Sequence, residues 1–174
     1  MGYHIFMARK VQLTTLKNDA YAEMMNQWVA QEHIADQKLD EMQNNSDKLS
    51  QEYQNYSTLK DSIYEKYDST IDGEFKGKSL DDKDASGETY RDIRNRELQQ
   101  AKDDYEQAVQ KQKEEYSINI QKLSDEETAI EKQIQILETH ISEYTEEMSK
   151  VEQQEATEIK ICIPNYNGAG GGQG

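Results

Sequence analysis

The chain is 174 residues long, carries a net charge of -15, and is 34% hydrophobic against 32% charged, with a mean hydropathy of -1.09. That is too little apolar material for the deep core of a globular enzyme, yet enough for one seam between helices. The acidic excess, 35 Asp and Glu against 20 Lys and Arg, opposes phosphate binding, which excludes nucleic acid and anionic membrane as direct partners.

The first residues, Met1 to Lys10, lack the apolar stretch of a secretory signal. Gly2 stands at a myristoylation position, but Phe6 occupies the place where that motif requires Ser or Thr. Met7-Ala8-Arg9-Lys10 also reads as a native start, which would make the first six residues an upstream extension, and residues 1–7 are expected to be flexible. The expected location is cytoplasmic, with export without a cleaved signal as the alternative. No apolar run reaches the roughly 18 residues of a membrane span, so no membrane insertion is expected.

From Tyr21 a mainly apolar stripe, with Glu32, Ser46 and Lys60 as its polar sites, falls on alternating steps of three and four: Tyr21, Met25, Trp28, Glu32, Ala35, Leu39, Met42, Ser46, Leu49, Tyr53, Tyr56, Lys60, Ile63, Tyr67. Such a stripe marks a helix face built to lie along a second helix and predicts a helix over 8–67. Asn44-Asn45-Ser46 are poor helix formers, but the count runs through them without Gly or Pro, so the helix is expected to continue.

Residues 68–87 concentrate Gly73, Gly77 and Gly87 among aspartates, the one stretch dense in turn chemistry. Within it, Asp82, Asp84 and Ser86 followed by Gly87 resemble the first half of an EF-hand loop, where alternate oxygens point at a hard cation and glycine permits the sharp turn. The second half departs from that pattern. Ile93 stands where a bidentate Glu belongs, and Asp92 falls one residue short. The Asp68–Gly73 segment repeats the partial match, with Lys76 and Ser79 at later ligand positions. The candidate metal set is therefore Asp82, Asp84, Ser86 and Asp92, and the competing role for these residues is turn and cap formation. No other cofactor is expected.

The second helix is expected over 88–158, on a seam of Leu98, Ala101, Tyr105, Val109, Gln112, Tyr116, Ile120, Leu123, Glu127, Ile130, Ile134, Leu137, Ile141, Tyr144, Met148 and Val151. Ser124 to Glu127 resembles a capping box, but the count continues through it. Consecutive steps of four around Tyr116 form a stutter, which locally unwinds a left-handed supercoil.

Two helices of similar length joined once form an antiparallel hairpin, with facing residues whose numbers sum to about 157. Charge supports this register: Arg9, Lys10 and Lys17 then lie along the glutamate-rich end of the second helix. The predicted fold is thus an all-α, antiparallel two-helix coiled-coil hairpin over 8–158, with a polar loop and a tail over 159–174.

That tail opens with Ile159-Lys160-Ile161-Cys162-Ile163, an alternation of strand period, before Pro164 and a glycine-rich end. Cys162 is the only cysteine, so no intramolecular disulfide can form. The seam is polar and rich in tyrosine, which suggests that aromatic and Met side chains are completed by a partner. The expected partner-binding residues are Tyr21, Met25, Trp28, Tyr53 and Tyr56, with Ile159, Ile161 and Ile163 adding as a strand to a partner's sheet.

No phosphate loop, zinc spacing or nucleophile elbow occurs, and none of His4, His33 and His140 has the Glu three residues earlier that a di-iron bundle requires. At the level of architecture alone, the hairpin resembles bacterial secretion-apparatus stalks, export chaperones and the helical ends of extracellular filament subunits. It is similar to prefoldin-type chaperones in its two long helices but lacks their intervening strands. The expected function is that of a non-enzymatic coiled-coil adaptor or scaffold binding a protein partner, with homodimerisation through helix packing. The alternative is a secreted or assembling structural subunit, and a weak calcium-binding module is a third reading.

Overall fold

The computed structural model describes residues 2–162, with side chains for 4–161. It is all-helical: α1 spans Gly2–Lys66 and α2 spans Tyr90–Cys162, packed against each other as an antiparallel hairpin. Both stretches that test helix continuity, Asn44 to Ser46 and Ser124 to Glu127, lie within unbroken helix.

Four boundaries differ from the sequence expectation, the smallest being that α1 ends at Lys66 instead of Tyr67. α1 begins at Gly2 instead of about Ala8, so residues 2–7, expected to be flexible, are helical; the half-buried Phe6 lies beside Gln153, Gln154 and Thr157 of α2. α2 begins at Tyr90 instead of Glu88, because Thr89 caps it. Its hydroxyl accepts the Asp92 N–H, as an N-cap does, and donates to the Asp92 carboxylate. Residues 159–162 continue α2 instead of alternating as a strand, since nothing before Pro164 stops the helix. Ile163 and the glycine-rich segment lie outside the described residues.

Packing divides the chain into two compact units, Met1–Ile34 with Glu126–Gly174, and Ala35–Asp125. In the first unit the α1 seam runs Lys10, Leu13, Lys17, Ala20, Met24, Gln27, Gln31 and Ile34, with Leu13 fully buried. The α2 seam there runs Glu127, Ile130, Ile134, Leu137, Ile141, Tyr144, Met148 and Val151, as the sequence predicts. Both follow a strict seven-residue repeat. At its charged end, Arg9 bonds Glu147 and Lys10 bonds Glu155, the pairing that the charge pattern anticipates.

The second unit follows a different repeat. Its α1 seam runs Glu41, Asn45, Leu49, Glu52, Tyr56, Lys60 and Ile63 and continues to Tyr67 just past the helix end, and its α2 seam runs Leu98, Ala101, Tyr105, Val109, Gln112, Tyr116, Ile120 and Leu123. Steps of four, four and three recur on both helices. An eleven-residue repeat averages 3.67 residues per turn and so removes the drive toward left-handed supercoiling within this unit. The stutter around Tyr116 is one instance; a second surrounds Tyr105. The helices match them across the seam, where Gln112 donates to Asn45 at 3.3 Å, Asn119 donates to Glu41 at 3.2 Å, and the Tyr56 and Tyr105 rings stack at 4.8 Å. Asn45 with Gln112 and Arg9 with Glu147 lie within one residue of the expected register.

Candidate functional site

The loop between the helices is not merely a polar interruption. Phe75, between Glu74 and Lys76, is buried and packs edge-on against Tyr67 at 5.6 Å and Tyr90 at 5.2 Å. With Ile63, Tyr67 and Ala101 it forms a cluster that Leu80, Ile93 and Leu98 flank. Tyr67 donates to Glu97 at 3.0 Å, and Lys66 donates to the same oxygen at 2.7 Å. Burial, and then the bond to Glu97, raises the Tyr67 phenol above its ordinary pKa; Glu97 likewise raises the Lys66 ammonium.

The candidate calcium ligands serve this loop's own backbone. One Asp84 oxygen accepts from the Ser86 N–H at 2.9 Å, the Ser86 hydroxyl at 2.6 Å and the Glu88 N–H at 3.2 Å. The Ser86 hydroxyl leads these donors in holding the Asp84 carboxyl below its usual range. Asp82 accepts from the Ser79 N–H at 2.7 Å, and Asp92 completes the cap of α2. Gly87, at φ 89°, lets the chain reverse so that Lys83 bridges Thr89. Asp68 closes a similar turn on Thr70. Among the described residues no group of three or more His, Cys, Asp or Glu could hold a metal ion. Asp82, Asp84, Ser86 and Asp92 form turns and a cap instead of converging as ligands.

The interaction residues divide into three groups. In the second unit, Tyr56 is half-buried and stacked on Tyr105, while Tyr53 is exposed and meets the same ring edge-on at 6.3 Å. Glu52, Asn55, Leu59 and Ala101 complete an open groove around the stacked pair. At the end of α2, Ile159 and Ile161 are exposed on helix, which leaves the strand-addition geometry without support in this segment.

The third group changes meaning. Tyr21, Met25 and Trp28 are 43%, 56% and 45% exposed, whereas Ala20 and Met24, one residue earlier, are 8% and 7% exposed. The stripe counted from the sequence therefore runs one position outside the true seam over this stretch. In the second unit Leu39 and Met42 are exposed for the same reason, and the two stripes merge at Leu49. These side chains are not seam residues waiting for better packing. They form an apolar face that the hairpin leaves uncovered.

No protein-family profile, curated protein or solved structure matches this chain. No helix among the described residues is long and apolar enough to cross a membrane. The fold and surface define a two-helix hairpin with one apolar face of α1 outside its seam.

Proposed function

We propose that this chain is a non-enzymatic adaptor or scaffold that binds a protein partner through α1. The observation that carries the reading is the exposure of Tyr21, Met25 and Trp28 at helical spacing. Aromatic residues and methionine are the side chains enriched in interface cores, and three of them along one helical face form a continuous strip. The net charge of -15 favours protein over nucleic acid or anionic lipid as the partner.

The test is affinity capture by the tagged full chain in its native cell, compared with the Tyr21→Ala, Met25→Ala, Trp28→Ala triple variant. The reading expects circular dichroism to be retained and specific partners to be lost. An identical set captured by both proteins would contradict it.

The exposed Leu39, Met42 and Ile118 of the second unit favour a second reading, an assembling structural subunit. That reading expects light scattering to grow with concentration, whereas the adaptor keeps a constant mass.

A further inference from the structure

Resting on the adaptor reading, we infer that the face around Tyr21, Met25 and Trp28 receives an amphipathic helix of a partner protein, with an apolar stripe flanked by lysine and arginine. The argument begins with which side of the hairpin the face lies on. Arg9 immediately precedes the seam position Lys10, and it pairs with Glu147, which immediately precedes Met148. Residues preceding the seam thus share one side of the antiparallel pair, and residues following it share the other. Tyr21 and Trp28 follow Ala20 and Gln27; Glu131 and Glu138 follow Ile130 and Leu137, and both glutamates are exposed. The apolar strip and these two carboxylates consequently lie on the same side of the first unit, with Glu32 continuing the line on α1.

This side carries charge of one sign. The positions one and five residues after Leu13, Ala20 and Gln27 on α1, and after Ile130, Leu137 and Tyr144 on α2, contain neither lysine nor arginine. A helix docking here buries its apolar stripe on Tyr21, Met25 and Trp28 while its edges meet Glu32, Glu131 and Glu138. Basic edges are attracted and acidic edges repelled, so electrostatic complementarity selects the occupant. The same rule disfavours a second copy of this chain, which would bring its own carboxylate row onto this one. The Tyr21 and Trp28 rings add cation–π recognition of the same cations.

Trp28 is the only tryptophan and reports directly on occupancy. The experiment titrates the full chain with three synthetic helical peptides free of tryptophan: a leucine stripe with lysine edges, the same stripe with glutamate edges, and lysine edges with serine replacing leucine. The expected result is a blue shift of Trp28 emission with the lysine–leucine peptide and a Kd at least tenfold below those of the other two. Met25→Asp, at an exposed site that leaves circular dichroism unchanged, is expected to weaken this binding about tenfold. The Glu131→Gln, Glu138→Gln double variant is expected to weaken it severalfold and to flatten its dependence on salt.

Equal binding of the glutamate-edged peptide, binding indifferent to Met25→Asp, or a Trp28 shift caused by self-association without peptide would each overturn the inference. Failure of all three peptides to bind overturns it too, while the adaptor reading stands or falls separately on the native-cell capture with the triple variant.

Discussion

The two units of this hairpin solve the same packing problem with different materials. The first buries Leu13, Ala20, Met24 and Ile34 with Ile134 and Val151 on a seven-residue repeat that also carries Lys17, Gln27, Gln31 and Glu127, and secures its end with ion pairs. The second uses an eleven-residue repeat whose interior contains Glu41, Asn45, Gln112 and stacked tyrosines, and its end is held by Phe75 folding back from the loop. In the first unit Tyr21 and Trp28 stay outside the seam, while Tyr144 lies in it. Aromatic and amide side chains fill the second seam and hydrogen-bond within it. Both units leave aromatics exposed, Tyr21 and Trp28 in the first and Tyr53 and Tyr64 in the second; in the first they share one strip with Met25.

Truncating the hub of the loop is the strongest way to break the contrast. Phe75→Ala is expected to destabilise the second unit by about 3 kcal/mol, the usual cost of emptying a buried phenylalanine site. Hydrogen exchange should then accelerate around residues 63–101 while amides beside Leu13 and Val151 keep their protection. Leu13→Ala is the mirror experiment, expected to cost about 2.5 kcal/mol and to loosen the first unit instead. Equal loosening of both units by either variant would show that they are not separate packing regions.

A smaller effect distinguishes the ends by pH. A phenol raised in the folded state contributes stability that is fully present below its ordinary value of about 10 and is lost as pH climbs through the folded value. Lys66, also raised, acts in the same direction. The second unit is thus expected to weaken above pH 10, and Tyr67→Phe to shrink that alkaline loss. At pH 7 the same substitution is expected to cost about 1 kcal/mol through the missing bond to Glu97. Thermal melts of both proteins at pH 7 and at pH 11 check this. On the acid side, Asp84 is lowered, so its contribution is present above the ordinary aspartate value and lost as pH falls through the folded one.

The smallest expected change is at the charged end of the first unit. Arg9 and Glu147 are each partly exposed and reached by solvent ions, so Arg9→Gln should cost about 0.5 kcal/mol at low salt and less at high salt. A large, salt-independent loss would mean that Arg9 holds the end by packing.

The fold was largely legible in the sequence, and the misreadings have physical causes. The α2 seam can be read directly because the exposed bulky apolar residues beside it, Ile118 and Ile136, are isolated and form no second stripe. On α1 two stripes run side by side. The bulkier one, through Tyr21, Met25, Trp28, Leu39 and Met42, is more conspicuous than the true seam of Ala20, Met24, Gln27, Gln31 and Ile34. What decides between them is the partner helix. The stutter at Tyr116 demands a matching one on α1, and Asn45 supplies it.

The loop was misread for the opposite reason. Phe75 and Leu80 are isolated apolar residues in a polar segment, and periodicity carries no signal from isolated residues. The candidate metal residues were legible as oxygen donors, but only three-dimensional geometry shows that their acceptor capacity goes to Ser79, Ser86, Glu88 and Thr89. Tyr21, Met25 and Trp28 were identified correctly as conspicuous, but their meaning rested on a one-residue difference in phase.

That difference can be measured at two adjacent methionines. Oxidative footprinting of the free protein, read residue by residue in the mass spectrometer, compares Met24 in the seam with Met25 on the open face. The account expects Met25 and Met42 to oxidise rapidly and Met24 to be protected. Rapid oxidation of Met24 with protection of Met25 would place the outer stripe inside the hairpin and contradict the account.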